Sequence, residues 1–305
     1  MIGAIDIGGT KIAVGMVDDD GRIVRSTECP TNAKAGFSDA ISRMTSMLRQ
    51  TSTESGAAIT GIGIGSAGPV DPETGLIGNV EFLPGWEGDS LVPALAKEFD
   101  VQIAVENDAD AAALGEAFWG AGRGKRNVIF VTIGTGLGAG IILDGKLYRG
   151  VDGSHPELGH HVLDADGPLC SCGARGCWEK LASGTSLAEW YNEQSSTEPI
   201  TAKRIFELAA AGNAQAMGAA EREAYYLGVG VANLATIFSP EMIILGGSVM
   251  GSAAMLMDGI RKVVRQNCAF VPHEKIEVRV ASLGPYTGLI GAARVWHHRF
   301  ARDEA

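Results

Sequence analysis

The sequence predicts a two-domain α/β protein whose halves face each other across a cleft, and three observations carry that prediction. The chain of 305 residues exceeds what a single hydrophobic core usually serves. Two successive units each open with hairpin strands around a glycine-rich turn, then continue as alternating helix and strand. Between them Gly120, Gly122 and Gly124 loosen the chain near 117–125, with no low-complexity linker.

The elements follow in order. A β-rich run ends at Asp6, a Gly-rich turn leads to a second strand over 12–17, and Asp20-Gly21 makes a hairpin into 22–28. Helical periodicity covers 37–51, then a short buried strand 59–65, a helix 90–99 and a strand 101–105. Good helix formers behind an Asn/Asp start predict a helix over 107–119. The second unit begins with a strand at 127–133, the turn GTGLGAG, a strand at 140–143 and a hairpin through Gly145 into 147–148. Helices are expected at 186–194, 202–211 and 214–238, the last apolar nearly all round towards its C-terminal end and therefore buried. A strand 241–245, a helix 252–266, a strand 275–281 and a helix 288–300 complete the chain.

Composition narrows the function classes. Apolar residues make up 46% and charged residues 20%, the profile of an ordinary folded protein. A net charge of −11 argues against nucleic acid, because phosphate backbones demand an excess of Lys and Arg. The uncharged stretches 127–143 and 224–240 are too short and too glycine-broken for membrane spans, so no membrane partner is expected. MIGAIDIGGTK lacks a basic region leading into an apolar one, and a reducing, cytoplasmic compartment is expected.

The densest chemistry lies in ELGHHVLDADGPLCSCGARGCWE. Cys170, Cys172 and Cys177 fall within eight residues, with Gly173 and Gly176 between them. Three thiolates and one histidine form a closed tetrahedral zinc set, which points to a structural metal. A disulfide with a spare thiol is the alternative, but three close cysteines cannot all pair. Spacing alone leaves His160 and His161 as rival fourth ligands.

Other motifs concern phosphate and proton transfer. Glycines in Asp6-Ile7-Gly8-Gly9-Thr10-Lys11 let backbone N–H groups approach phosphate, though a tight hairpin needs them too. Asp6, at a strand end, suits hydrated Mg²⁺. Gly134-Thr135-Gly136-Leu137-Gly138 occupies the equivalent place in the second unit, and two matching turns suggest a nucleotide gripped between domains. Gly63-Ile64-Gly65-Ser66-Ala67-Gly68 matches a dinucleotide pattern formally, but Pro69 and Pro72 follow where a helix should start. It reads instead as a loop lining the cleft, with Ser66 and Gly68 towards the substrate. Glu106-Asn107-Asp108-Ala109-Asp110 opens a helix. Capping explains it, and so does a base that accepts a hydroxyl proton; one residue can cap while its neighbour faces the cleft.

Taken together, DIGGTK, GSAGPVD, ENDADAAALGE, TIGTGLGAGII and ELGHH…CSCGARGCWE, in this order, resemble the ROK family (repressor, open reading frame, kinase). The resemblance runs from about Ile5 to Gly184 and weakly onward through Gly246-Gly247. It implies the actin-like or hexokinase-like (ribonuclease H-like) ATPase fold, closing over ATP and a sugar. The implied first lobe is 1–118 completed by a C-terminal helix 288–305; the second is 119–287, with the zinc knuckle 157–179 and the nucleotide site. Asp108 matches the family's catalytic base. Asn107, Glu157, His160 and Glu179 match positions that hydrogen-bond the sugar. His160 with Cys170, Cys172 and Cys177 matches the zinc set, one ring nitrogen on zinc and the other towards the sugar. Asp6, Gly8, Gly9, Thr10 and Lys11, with Thr132, Gly134, Thr135 and Gly136, match the phosphate loops, and Gly246 and Gly247 lie where adenosine passes.

Departures from the pattern are Asp110, where the family often has Asn, and Ser154-His155-Pro156, which replaces a run of small residues. His155 either alters the sugar pocket or caps a turn. Trp86, in a loop of 79–86 that glucokinase-like members carry over the sugar, is either a wall for the sugar or loop packing. The resemblance implies phosphorylation of a hexose at the 6-hydroxyl, glucose first, with N-acetylmannosamine, N-acetylglucosamine, fructose and allose as competitors. ATP, Mg²⁺ and structural Zn²⁺ are the implied cofactors, and a homodimer or homotetramer the implied assembly. A sugar-sensing repressor is disfavoured because the first strand begins at residue 2, leaving no room for a helix-turn-helix, and because of the acidic charge. A non-catalytic sugar-binding subunit is disfavoured by Asp108 and the two glycine turns.

Overall fold

A computed structural model describes residues 1–194 and 198–301. The first unit comprises β1 (Ile2–Ile7), β2 (Lys11–Val17), β3 (Ile23–Pro30), α1 (Phe37–Ser55), β4 (Gly61–Ser66), α2 (Leu91–Ala96), β5 (Ile103–Asn107) and α3 (Asp108–Phe118). The second comprises β6 (Val128–Ile133), β7 (Leu137–Leu143), β8 (Lys146–Leu147), α4 (Trp178–Ala182), α5 (Gly184–Glu193), α6 (Ala202–Ala210), α7 (Ala214–Phe238), β9 (Met242–Gly246), α8 (Ala253–Asn267), β10 (Glu277–Val280) and α9 (Thr287–Phe300).

The sheets repeat one plan. Their strand orders are β3-β2-β1-β4-β5 and β10-β9-β6-β7-β8. In each, the hairpin strands pair antiparallel and the later two add in parallel. β1 and β4 are buried nearly throughout, as are β6 and β9, which explains why their sequences are apolar or glycine at most positions.

The helices after the two fifth strands meet at the centre. α9 lies on β1, β4 and β5 of the first sheet, while α3 packs against α9 and also against β6 and β7 of the second. Small residues permit this approach. A Cβ on Gly63 of β4 would fall 1.9 Å from Ala292 O of α9, so only glycine lets that helix rest on the strand. The pattern read as a cleft-lining loop at 63–68 is therefore largely a buried strand, with only Ala67 and Gly68 beyond it. Likewise the turn after β6 is shorter than expected, because Leu137–Leu143 already pairs with β6. Trp86 is fully buried against Phe37 and donates to Ala33 O at 3.2 Å; it is loop packing, not a sugar wall. The terminal helix ends at Phe300, and 302–305 of the expected C-terminal segment lie outside the described residues. No helix among the described residues is long and apolar enough to cross a membrane.

Candidate active site

The C-terminal ends of β1, β5, β6 and β9 converge on a cleft, the usual ligand edge of open parallel sheets. β5 ends at Asn107, whose Oδ1 accepts the amides of Ala109 at 2.9 Å and Asp110 at 3.4 Å as the cap of α3. Asp108 is thereby the first helical residue, and it lines a cavity of about 620 Å³ together with Asp6, Thr132, Gly246 and Gly247. Asn107 thus caps the helix while Asp108 faces the cleft.

Burial pushes the Asp108 carboxyl up to about 6, with the charges of Asp110 and Glu157 adding to the effect and the Ala109 amide and His155 opposing it. Asp6 rises to about 6 for the same first reason, with Asp108 as its second cause. Two carboxylates thus share a poorly solvated wall with little compensating charge. Gly288 at the start of α9 abuts Asp6, where a Cβ would lie 2.4 Å from Oδ2. Such a pair fits a hydrated dication, which prefers carboxylate, water and phosphate oxygen.

A second cavity of about 820 Å³ continues from the first through Ser248 and Gly251. Gly134 and Thr135 border it, with Gly184, Thr185, Asn192 and Lys203 around its rim and Phe206, Val249 and Met255 as apolar surface. An apolar slot with a few polar groups suits a flat heteroaromatic ring. The sequence motifs reached only its two glycine-turn residues, since α5 and α6 carry no recognisable signature. Gly247, on the wall of the first cavity, has φ 87°, and a Cβ there would meet Ile133 O at 2.3 Å.

The cysteine segment folds into a knuckle beside the cleft. The ligand atoms of His160, Cys170, Cys172 and Cys177 all lie within 4.8 Å of one another. His160 Nδ1 is 3.6 Å from Cys170 Sγ, and the Cys172 and Cys177 sulfurs are 3.5 Å apart. A tetrahedron with zinc–sulfur bonds of about 2.3 Å has edges of about 3.8 Å, so the set fits zinc. Burial and the neighbouring thiols push Cys177 up to about 12, a penalty that a bound dication would remove. His161 is not part of the set: its Nδ1 meets Leu158 O at 2.5 Å and its ring packs edge-on against Trp178.

The ROK family profile matches residues 2–299. This chain belongs to the ROK family. Among its ROK relatives, the glucokinase of Streptomyces coelicolor is 36% identical over 95% of both chains. The solved structure of a ROK family glucokinase from Streptomyces griseus in complex with glucose and AMPPNP superposes with a TM-score of 0.81, at 35% identity, over 96% of this chain and 97% of that one. The xylose repressor of Bacillus subtilis is 30% identical over 95% of this chain and 75% of its own length.

Not every residue expected from the ROK pattern reaches the cavities. Lys11 begins β2 and pairs with Glu28 of β3 at 2.8 Å, both side chains exposed. Gly8, Gly9 and Thr10 form the β1–β2 turn, which Phe82 covers: a Cβ on Gly9 would lie 2.6 Å from Phe82 Cβ. Ser66 is fully buried and donates to Ala67 O at 3.1 Å. Gly68 faces the Asn107 amide nitrogen, 2.8 Å from where a Cβ would sit. Glu179 Oε2 accepts the Leu137 amide at 2.9 Å and abuts Gly136, so it braces the second glycine turn. Glu157 is exposed at the cleft, close enough to raise Asp108. His155 neither caps a turn nor stands free in the pocket; its Nδ1 lies 2.6 Å from Asp110 Oδ2.

Proposed function

We propose that this protein transfers the γ-phosphoryl group of ATP to the 6-hydroxyl of a hexose, with glucose preferred. The observation that carries the reading is Asp108: a carboxylate at the first turn of a central helix, raised to about 6, on the wall of a cavity that runs into a second one of about 820 Å³. The Streptomyces griseus relative, crystallised with glucose and AMPPNP, supports it.

In this reading Asp108 holds the 6-hydroxyl and takes its proton as the oxygen attacks phosphorus. A raised but still sub-neutral affinity for protons leaves Asp108 ionised at pH 7 and improves it as a base. Asn107 through its amide nitrogen, Glu157, Glu179 and the His160 nitrogen not facing sulfur orient the remaining hydroxyls. The turns carrying Gly8, Gly9, Thr10 and Lys11, and Thr132, Gly134, Thr135 and Gly136, take phosphate oxygens, and Gly246 and Gly247 the nucleoside. Asp6 would hold Mg²⁺, whose charge would offset that gathering on the phosphoryl oxygens. Zinc in the knuckle would hold the sugar-binding segment in shape.

We assign the lobes to 1–118 with the terminal helix from 288, and to 119–287, and place the protein in the cytoplasm as a homodimer or homotetramer. The xylose repressor likeness leaves the body of the fold common to sensor and enzyme, and Asp108 with its cavity favours the enzyme. A panel of hexoses and acetamido-hexoses with ATP, read as kcat/KM, tests the reading. Glucose is expected to lead. Preference for an acetamido-hexose overturns the substrate, and no phosphorylation of any sugar overturns the activity.

A further inference from the structure

Two basic side chains of one short loop reach a single buried carboxylate beside Asp108. Arg149 and His155 flank a turn closed on itself, in which Gly150 N–H donates to Ser154 O at 2.8 Å and Ser154 N–H to Val151 O at 3.0 Å. That closure brings both to Asp110, which has 0% side-chain exposure in the first turn of α3. Arg149 spans Asp110 and Glu106, while His155 Nδ1 approaches the same Asp110 oxygen at 2.6 Å. Buried charges are tolerated only when paired in this way.

The next few residues give the pairing its consequence. Between His155 and His160 stand only Pro156, Glu157, Leu158 and Gly159. Gly159 is itself pressed on Leu137 O, where a Cβ would come within 2.1 Å. The exposed Glu157 therefore sits on a short span tied at one end to α3 and at the other to the knuckle. An exposed span of this kind is ordered only if something offsets its conformational entropy. Asp110 lies two positions along the same helical turn as Asp108, so the tie sets Glu157 relative to the base itself.

We propose that Asp110 and His155 form a latch that fixes the Glu157 segment over the sugar side of the cleft, making both of them positioning residues for hexose affinity. The latch rests on the reading of Glu157 as a hexose ligand. Neither residue touches the reacting atoms. Arg149 keeps Glu106 as a partner when Asp110 loses its charge, so Asp110→Asn leaves a folded protein.

The test measures glucose affinity by calorimetry without ATP, alongside steady-state kinetics, for wild type, Asp110→Asn, His155→Ala, His155→Gln and the double variant D110N/H155A. The latch predicts that Kd and KM for glucose rise by roughly tenfold in each single alanine or asparagine variant, while kcat and KM for ATP stay within about threefold. The double variant should lose no more than the worse single one, because both break one tie. His155→Gln, which keeps an N–H donor, should recover much of the loss. The pH profile adds a readout that mere support of the loop would not move. Burial opposes a charged His155, but the hydrogen bond and charge of Asp110 outweigh it and hold the ring protonated above its ordinary range. Asp108 and Asp110 face it from α3, Glu106 from β5 through Arg149, and Glu157 and Arg149 from its own segment. Wild-type glucose affinity should therefore weaken at alkaline pH, and that of His155→Gln should not. Unchanged glucose affinity in His155→Ala, or additive losses in the double variant, overturns the latch. A wild type that binds no hexose overturns the functional reading from which the latch starts.

Discussion

Asp108 is held where solvent stabilises it least, and the cost of that placement has a sign that can be checked. A carboxyl whose folded pKa lies near 6 against an ordinary 3.8 contributes nothing unfavourable below about pH 4 and weakens the fold as pH rises through 6. Asp6 follows the same direction, and the two titrate as a pair. Asp108→Asn should lower kcat by about 10²–10⁴-fold. The same change should stabilise the ligand-free protein at pH 7.5 by roughly 1–3 kcal/mol, read from chemical denaturation. In wild type, kcat/KM should fall on the acid side with an apparent midpoint near 6. Loss of stability in Asp108→Asn, or a flat profile between pH 5 and 8, would contradict this account.

Among the elements, the knuckle is the smallest and the most dependent on what it binds. Its residues 161–177 form no regular strand or helix; isolated bridges join Val162 to Cys177 and Leu169 to Arg175, and turn hydrogen bonds such as Cys170 N–H to Ala174 O at 2.8 Å shape the loop around the sulfurs. Zinc should be found by elemental analysis near one equivalent per chain. Stripping it with a strong chelator, or changing Cys172 to Ser, should raise KM for glucose more than KM for ATP. Metal-free protein with unaltered glucose affinity would remove the knuckle from the site. α3, rich in alanine, instead packs directly along α9. Gly115 and Gly291 face each other so closely that a Cβ on the first would lie 3.0 Å from the second's Cα.

At the scale of the molecule, two chain crossings join the halves, one after α3 and one before α9. A single buried side chain receives both. Glu116 accepts the Ser282 amide at 2.9 Å and the Leu283 amide at 2.9 Å from one crossing, and the Ala121 amide at 2.9 Å from the other. Glu116→Ala removes the acceptor that these partly buried amides share and should cost roughly 1–3 kcal/mol. It should broaden unfolding into two steps if the halves separate, which differential scanning calorimetry resolves. A single sharp transition at the wild-type midpoint would show that the crossings hold without it.

Alternating strand and helix periods were sufficient to find the repeated plan, because β1, β6 and β9 are short apolar segments that a sheet covered on both faces buries. Local spacing brought the three cysteines together but left His160 and His161 as rivals and Asn107 and Asp108 as alternative caps; the folded chain gathers His160 with the cysteines and turns Asp108 to the cavity. What local pattern could not show is contact between distant segments. Glycines of β4 resembled a loop because the helix pressing on them comes from residues more than 200 positions later. Lys11 matched a phosphate motif, but its exposed pair with Glu28 of the neighbouring strand was not legible in the motif. The larger cavity rests on α5, α6 and the turn after β9, whose side chains are unremarkable until folding brings them together. His155 and Asp110 each looked like a single odd substitution. Only the closed turn between Arg149 and His155 reveals them as partners, because an ion pair is a property of positions in space and not of spacing along a chain.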